Sequence, residues 1–341
     1  MRSILVIRFG ALGDLCLLAG ALARAALAPG AGERRVTLVT KAAFAPLLAH
    51  AAGVDRVVPL AGGGPGAVAR LAGRLRAERW DTVVDAHHIL RGHLLLALLR
   101  RRPDVRLRKD TVARLALLRS GRDDPRLRRT MRDRFADLLP AVAGAGPIPA
   151  VAPPALAALA RPRPAGPAVL GLAPGARWST KRWPQAHFAA LVQAHHAAGG
   201  GPVRIFLGPQ EEAWYGAGPL ATAAGAAGAE VVRGLPLTEV AARLAECAVL
   251  VTNDSGLLHL AEAVGTPVVA LFGPTVQAFG YAPHLPQSRL LETDLDCRPC
   301  SRNGKRPCHR GDLACLVRLD PAAVLAAAAP LLHGPCGKDP A

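Results

Sequence analysis

The stretch VLVTNDSGLLHLAEAVGTPVVALFGPT occupies residues 249–275 and decides the fold. Its apolar start predicts a strand, the leucine pattern after Gly256 predicts a short helix, and the apolar run after Pro267 predicts a second strand. Two strands joined by one helix form a parallel βαβ unit, and ligands bind such sheets beyond the carboxyl ends of the strands. Asp254 and Ser255 lie at such an end. They suit the N-cap of a helix whose free amides accommodate an anionic or hydroxyl-rich ligand; a capped helix that binds nothing is the alternative.

Strand-like and helix-like patterns alternate along the rest of the chain, which predicts parallel sheets covered by helices. The predicted strands cover residues 4–7, 36–39, 57–58, 82–84, 169–172, 203–207, 230–232, 249–251 and 268–271. Because 341 residues exceed the usual size of one domain, we expect an α/β fold of two Rossmann-like domains whose parallel sheets face a central cleft. The predicted parts are an N-terminal domain over 1–150, a Pro-rich linker over 151–167, a second domain over 168–320, and a terminal helix and tail over 321–341.

Basic charge is concentrated in one segment. The formal net charge is +17, and residues 91–134 supply +10 of it through fifteen Arg or Lys against five Asp. Such a segment attracts anionic partners at a membrane face or on a nucleic acid, although solvated helix faces with ion pairs explain it equally. Interleaved aromatic residues would favour single-stranded nucleic acid, and none occurs there before Phe135. The segment therefore favours a phosphate or membrane partner and no nucleic acid.

Neither of the long apolar stretches predicts a membrane anchor. Residues 138–160 are long enough to span a bilayer, but five prolines forbid a continuous helix. Near the N-terminus, Arg8 and Asp14 interrupt the apolar core that a signal peptide requires, and a strand with its turn explains this segment better. We therefore expect a cytoplasmic chain.

The segment IRFGALGD, residues 7–14, joins the first predicted strand to the following helix. Its glycines allow a tight turn, and Asp14 then lies near the first turn of the helix. A carboxylate there can act as a general base towards an attacking hydroxyl, or it can simply favour the helix start. The glycine spacing differs from the G-x-G-x-x-G of dinucleotide-binding folds, which argues against an oxidoreductase.

A second junction, LAPGARWSTKRWP at residues 172–184, follows the first predicted strand of the second domain. Pro184 is predicted at the first helical position. Lys181 and the hydroxyls of Ser179 and Thr180 therefore gather beside a helix N-terminus. This combination suits a diphosphate, although basic residues before a helix are commonly surface groups.

Together the three junctions resemble glycosyltransferase family 9, the heptosyltransferases that build the inner core of lipopolysaccharide. The motifs are ILVIRFGALGDLCLLAGAL at 4–22, PGARWSTKRWPQAHFAALV at 174–192 and NDSGLLHLAEAVGTPVVALFGPT at 253–275, and the resemblance runs from Met1 to the region of Leu332. It implies a GT-B fold, in which the first Rossmann-like domain handles the acceptor and the second binds the nucleotide-sugar donor. It also implies an inverting transfer that requires no metal or other cofactor.

The resemblance also implies roles for individual residues. Asp14 would be the general base that activates the acceptor hydroxyl, Lys181 would hold the donor phosphates, and Asp254 would hydrogen-bond the heptose hydroxyls. A carboxylate suits hydroxyls, whereas an ammonium group neutralises charge on the departing nucleoside diphosphate. The remaining donor-side candidates are Ser179, Thr180, Gly256 and Leu257 at the phosphates, and Ser255 and His259 at the sugar.

On the acceptor side the chain departs from the family pattern. Where the family commonly has Asp-Leu-Gln-Gly, this chain has Asp85-Ala86-His87-His88. His87 therefore either replaces the family's glutamine or only packs. Two further acceptor-side candidates are Gly13 and Arg134. Arg134 lies in the stretch Arg132-Asp133-Arg134-Phe135, which resembles a basic-aromatic segment of the family.

Four of the seven cysteines, namely Cys297, Cys300, Cys308 and Cys315, fall within nineteen residues. Four thiolates at such spacing can hold a structural zinc ion, although the spacing is not that of two Cys-x2-Cys pairs. Reduced thiols or redox pairing are the alternatives. Similar clusters in the family lie outside its catalytic residues.

The sequence thus predicts an enzyme that transfers a heptose from ADP-heptose to the inner core of lipopolysaccharide. We expect a monomer at the cytoplasmic face of the inner membrane, with an anionic acceptor that fits the basic segment. A glycosyltransferase of the same fold with another nucleotide-sugar or acceptor is the alternative. A non-catalytic protein that binds membrane or nucleic acid would explain the charge, but not Asp14, Lys181 and Asp254 at successive strand ends.

Overall fold

The computed structural model describes residues 1–144 and 147–333, and its chain forms two compact units. The first unit combines Met1–Asp110 with Arg129–Leu159, and the second combines Thr111–Arg128 with the chain from Ala160 onward. The domain boundaries drawn from the sequence stay predictions, and the end of the predicted tail, residues 334–341, lies outside the described residues.

Strands and helices alternate along most of the described chain. The strands are β1 (Arg2–Ile7), β2 (Arg34–Lys41), β3 (Arg56–Leu60), β4 (Thr82–Asp85), β5 (Val105–Arg106), β6 (Leu170–Ala173), β7 (Val203–Phe206), β8 (Glu230–Val232), β9 (Val249–Asn253), β10 (Val268–Phe272) and β11 (Arg289–Glu292). The helices are α1 (Leu12–Ala26), α2 (Ala45–Leu48), α3 (Pro65–Arg76), α4 (Leu90–Leu98), α5 (Thr111–Ser120), α6 (Met131–Ala136), α7 (Leu139–Ala143), α8 (Gln185–Ala197), α9 (Glu212–Gly216), α10 (Pro219–Ala226), α11 (Leu237–Ala245), α12 (Gly256–Ala263), α13 (Ala314–Val317) and α14 (Pro321–Leu332). Within residues 1–144 and 147–333, no helix is long and apolar enough to cross a membrane.

The first unit is built on a five-stranded sheet in the order β3-β2-β1-β4-β5, and every pair is parallel. Its central strand β1 is apolar on both faces, and Ile4, Leu5, Val6 and Ile7 are each fully buried. This pattern is typical of a parallel strand covered by helices on both sides. Helices α3 and α4 supply part of that cover, with Leu71 and Leu95 in the apolar core.

The second unit carries a six-stranded parallel sheet in the order β11-β10-β9-β6-β7-β8. Its central strands β6 and β9 are buried along their whole length. The terminal helix α14 packs beside α8 against this core, with Val324 and Ala328 fully buried. The α/β class and the parallel sheets predicted from the sequence are therefore confirmed.

Three local features differ from the sequence prediction. The edge strands β5 and β11 were not predicted, because β5 has only two residues and β11 begins and ends with exposed charged residues. Pro184 is the N-cap of α8 and not its first helical residue, since its ψ of 140° is extended. The fixed φ of proline is compatible with both positions.

The segment Thr111–Arg128 precedes the second sheet by some 40 residues in sequence, yet it packs within the second unit. The Arg114 guanidinium of α5 lies 5.8 Å from the ring centroid of Tyr281, within the range of a cation–π contact. The 3₁₀ turn Pro125–Arg128 contacts the 3₁₀ turn Gln277–Phe279. Part of the basic segment therefore belongs to the unit that contains Lys181 and Asp254.

Candidate functional site

Each sheet changes its winding direction once, and the predicted polar residues lie at these two places. In the first unit β1 separates β2 from β4, and in the second unit β6 separates β7 from β9. Open α/β sheets form a crevice at such a switch point, outside the carboxyl ends of the strands. Asp14 and His87 follow β1 and β4, whereas Lys181 and Asp254 follow β6 and β9. Each pair therefore lies at the switch point of its own unit.

Residues 174–184, which we call the basic loop, are fixed to strand β9 at both ends. The buried Asn253 side chain donates from Nδ2 to the Pro174 carbonyl at 2.7 Å, and its Oδ1 accepts from the Trp183 amide at 3.0 Å. The Trp183 indole is fully buried and donates from Nε1 to the Leu319 carbonyl at 3.1 Å. The residues between these anchors are therefore held at the carboxyl edge of the sheet.

Lys181 and Asp254 contact each other directly. Lys181 Nζ lies 2.5 Å from Asp254 Oδ2, and Thr275 Oγ1 donates to the same oxygen at 2.7 Å. The two charged side chains are only 13% and 12% exposed, so water screens their attraction less than at an open surface. The structure thus gathers an ammonium group, a carboxylate and a hydroxyl at the end of β9, chemistry that suits an anion linked to a polyol.

The start of helix α12 lies beside this cluster. Ser255 occupies the N-cap in extended backbone, but its side chain makes no capping hydrogen bond. Asp254, Ser255, Gly256 and Leu257 are half-buried, and the residues on both sides of them are buried. This helix start is therefore partly accessible, and a helix start favours an anion. His259 is buried farther along α12, with its ring centroid 6.1 Å from that of Tyr281.

The hydroxyl residues before Lys181 differ in their surroundings. They form the 3₁₀ turn Ser179–Lys181, in which Ser179 is exposed and Thr180 half-buried. Thr180 Oγ1 donates to the carbonyl of Gly304, from a distant part of the chain. Ser179 therefore has the freer side chain, while Thr180 links the basic loop to its neighbour.

In the first unit, Asp14 is paired with a buried arginine. Asp14 lies in the first turn of α1, and its Oδ2 is 2.8 Å from Arg8 Nη2. The Arg8 side chain, only 4% exposed, also donates to the Ala86 carbonyl after β4 and lies 5.0 Å from the ring centroid of Phe135. Arg8 therefore fixes the position of the Asp14 carboxylate, whose side chain is 17% exposed.

His87 is held in a neutral state beside Arg8. Its Nδ1 accepts from the Phe9 amide at 3.2 Å, which leaves Nε2 as the protonated nitrogen. Burial, together with the nearby charges of Arg8 and Lys109, lowers the pKa of His87 from 6.5 to about 4. The half-buried imidazole is therefore a hydrogen-bond donor at neutral pH and not a cation.

The other two acceptor-side candidates are buried. Gly13 lies within α1, and Arg134 is only 1% exposed. Arg134 Nε lies 2.8 Å from Asp110 Oδ2, so the side chain links α6 to the residue just before α5. A direct acceptor contact of either residue stays a prediction.

The basic segment is partly neutralised by internal ion pairs. Five of its arginines each lie within 4 Å of an aspartate: Arg106, Arg126, Arg128, Arg129 and Arg134. The exposed Arg100, Arg101, Arg102 and Arg108 flank strand β5. Exposed basic side chains therefore lie around β5, as well as at Arg119 and Arg122 farther along the segment.

The four clustered cysteines are free thiols. Burial raises the pKa of the Cys315 thiol to about 11 and, with the neighbouring Cys297 and Cys308, raises that of Cys300. Among residues 1–144 and 147–333, no three His, Cys, Asp or Glu side chains are grouped so as to hold a metal ion. The zinc site stays a prediction.

Three functional candidates were missed, although all lie within or beside the quoted motifs. Arg8 positions Asp14, Asn253 clamps the basic loop, and Thr275 binds Asp254. A polar residue next to each strand end was visible in the sequence. The partners were not visible, because they depend on the conformation of the turn after β1 and on which strands are neighbours in the sheet.

Replacement of His87 by Asn tests the neutral histidine. The folded chain binds the His87 proton less readily than the unfolded chain, so the free energy of unfolding falls as pH falls from 6.5 towards 4. His87→Asn keeps an acceptor for the Phe9 amide but does not titrate, so we expect a shallower decline in urea unfolding between pH 6.5 and 4. Replacement of the exposed His50 by Asn is the control. A decline in His87→Asn as steep as that of the parent chain would contradict the neutral state of His87.

Replacement of Asn253 by Asp tests the clamp. The substitution places a carboxylate oxygen against the Pro174 carbonyl in a buried position, so we expect a loss of about 2 kcal/mol or more in the free energy of unfolding. The same substitution at the exposed Asn303 is the matched control and should cost little. Equal unfolding midpoints in urea for the two variants would show that the clamp does not hold the loop.

Comparison with known proteins places these features in a family. The model of glycosyltransferase family 9 (heptosyltransferase) matches residues 68–309. Lipooligosaccharide heptosyltransferase 2 of Haemophilus influenzae is 33% identical over 37% of this chain and 38% of its own length. Lipopolysaccharide heptosyltransferase 1 of Pseudomonas aeruginosa is 38% identical over 37% of this chain and 34% of its own. The matched stretches thus span little more than a third of these relatives.

Solved structures extend the likeness of fold over nearly the whole chain. A family 9 glycosyltransferase from Veillonella parvula is 20% identical with a TM-score of 0.76, and the match covers 98% of both chains. An Escherichia coli heptosyltransferase with ADP is 22% identical with a TM-score of 0.72, over 97% of this chain and 100% of that one. The predicted GT-B fold is therefore confirmed. With the family model matching well over half of its residues, this chain belongs to glycosyltransferase family 9.

Proposed function

We propose that this protein transfers a heptose from ADP-heptose to the inner core of lipopolysaccharide. The observation that carries the proposal is the contact of Lys181, Asp254 and Thr275 at the switch point of the second sheet. The Lys181 ammonium group suits a phosphate and the Asp254 carboxylate suits hydroxyls, and these two groups are in direct contact. A nucleotide-sugar presents both chemistries at its glycosyl phosphate.

The donor half of the proposal assigns the diphosphate to Lys181 and to the first amides of α12, at Gly256 and Leu257. Ser179 and Thr180 add hydroxyl donors from the basic loop. Asp254 and Ser255 accept hydrogen bonds from the heptose, and His259 supports them from within α12. An ammonium group and oriented amides stabilise negative charge on a leaving nucleoside diphosphate.

The acceptor half assigns general-base catalysis to Asp14. The acceptor hydroxyl gives its proton to the Asp14 carboxylate, and its oxygen forms a bond to the anomeric carbon of the heptose. The bond from that carbon to the phosphate oxygen breaks, and ADP leaves with its electron pair. One such displacement inverts the anomeric configuration. The ion pair with Arg8 at 2.8 Å orients the carboxylate for this step, and His87 offers a neutral donor to the acceptor.

The acceptor is proposed to be anionic and to lie at the cytoplasmic face of the inner membrane. The exposed arginines around β5 support this part of the proposal, because phosphorylated lipid attracts clusters of basic side chains. A monomer is sufficient in this scheme, since one chain supplies both half-sites.

Replacement of Asp14 by Asn tests the base. Asparagine keeps the size of the side chain but cannot take the proton, so we expect turnover with ADP-heptose to fall by about 10²-fold or more. ADP affinity, measured by calorimetry, should be unchanged because Asp14 belongs to the first unit. The exposed Asp123→Asn is the control, and full turnover in Asp14→Asn would remove Asp14 from the mechanism.

Replacement of Asp254 by Asn separates sugar binding from phosphate binding. The carboxylate competes with a diphosphate for Lys181, so its neutralisation should tighten ADP binding by about threefold or more. Transfer from ADP-heptose should fall, because the heptose loses a charged acceptor. Thr275→Val, which removes only the second partner of Asp254, should change both quantities less. Weaker ADP binding in Asp254→Asn would show that Asp254 serves only to hold Lys181.

A further inference from the structure

Residues 293–313, which we call the cysteine loop, connect β11 to α13 and lie against the basic loop. The carbonyl of Gly304 accepts a hydrogen bond from Thr180 Oγ1. The amide of Gly304 donates to Ser301 Oγ at 2.9 Å, and Ser301 is only 1% exposed. Both polar groups of the Gly304 backbone are therefore engaged, one within the cysteine loop and one with the residue before Lys181.

The cysteine loop is itself fixed to the carboxyl end of β10. The amides of Cys300 and Ser301 donate to the Pro274 carbonyl at 3.2 and 3.3 Å. The Arg298 guanidinium donates to the carbonyls of Gly273 and Thr275 at 2.5 and 2.9 Å. The same short stretch after β10 provides Thr275, which binds Asp254. Residues 273–275 therefore contact both the cysteine loop and the Lys181–Asp254 pair.

Gly304 is in close contact with the stem of Lys181. A Cβ atom built on Gly304 would lie 2.7 Å from Cγ, 3.0 Å from Cδ and 3.2 Å from Cε of that lysine. Cγ is close to the backbone, so relieving this contact requires a change of the χ1 rotamer of Lys181 or a shift of the backbone, and not only a movement of the ammonium end. The φ of Gly304 is +84°, in the region that favours glycine. Only a residue without a side chain leaves the lysine stem in its place.

We propose that Gly304 is a positioning residue for the donor diphosphate, acting through the side-chain stem of Lys181. A lysine side chain loses considerable rotamer freedom when it is fixed, and a wall along its stem removes part of that freedom before the ligand binds. The cysteine loop provides this wall. The inference rests on the proposed function, because that function supplies the diphosphate that the ammonium group of Lys181 would bind.

The chain offers a matched control in the same loop. Gly311 has a φ of +78°, close to that of Gly304, but a Cβ atom there meets nothing within 4 Å. Alanine therefore strains the backbone alike at both positions, and only Gly304→Ala touches Lys181. We expect Gly304→Ala to weaken ADP binding by about tenfold in calorimetry and Gly311→Ala to leave it within about twofold. Equal ADP affinities of the two variants would overturn the inference.

A double-mutant cycle separates this inference from the proposed function. If Gly304 acts through Lys181, then Gly304→Ala should not weaken ADP binding further in a Lys181→Ala chain. An undiminished effect there would overturn the positioning role while the phosphate role of Lys181 stands. Unchanged ADP affinity in Lys181→Ala alone would refute the phosphate assignment and the inference with it.

Ser301→Ala provides a second variant that leaves the backbone unstrained. It removes the acceptor of the Gly304 amide and frees the loop next to Lys181. We expect weaker ADP binding together with a cooperative unfolding transition. ADP affinity equal to that of the parent chain would contradict the role of the cysteine loop, whatever the fate of Gly304→Ala.

Discussion

The reversal of winding within each parallel sheet is the constraint on which the candidate site of each unit depends. Strands β1 and β4 are neighbours although about 80 residues separate their starts, and the same holds for β6 and β9. Because the connections leave such neighbours in opposite directions, the carboxyl ends open into a crevice. The motifs around Asp14 and Asp254 have the same design, a buried strand that ends in a carboxylate at the start of a helix.

The charged pair of the second unit is held by successive layers of contacts. Trp183 anchors the basic loop in the apolar core, Asn253 ties both of its ends to β9, and Gly304 lies along the stem of Lys181. Groups fixed in this way need little rearrangement when charge develops on a leaving group. The pairing of Lys181 with Asp254 also keeps two largely buried charges satisfied, which a lone buried charge would not be.

Much of the fold was predictable because its central strands are continuous apolar runs. Strands β1, β9 and β10 follow from such runs, and the position of Asp14 in the first turn of α1 follows from the glycines before it. The order of strands was not predictable. The side-chain contacts between distant parts of the chain depend on that order, so they could not be predicted either. The Lys181–Asp254 ion pair has no signal in the sequence, because it depends on β6 and β9 being neighbours in the sheet. The Arg8–Asp14 ion pair lies within one junction, and the sequence did not show how that turn would bring the two side chains together.

A crystal structure with ADP tests the central claim most directly, because it locates the diphosphate relative to the second sheet. The account predicts phosphate oxygens within hydrogen-bond distance of Lys181 Nζ and of the amides at Gly256 and Leu257, with the lysine stem still against Gly304. A diphosphate bound away from the carboxyl ends of β6 and β9, with Lys181 still paired only to Asp254, would contradict it.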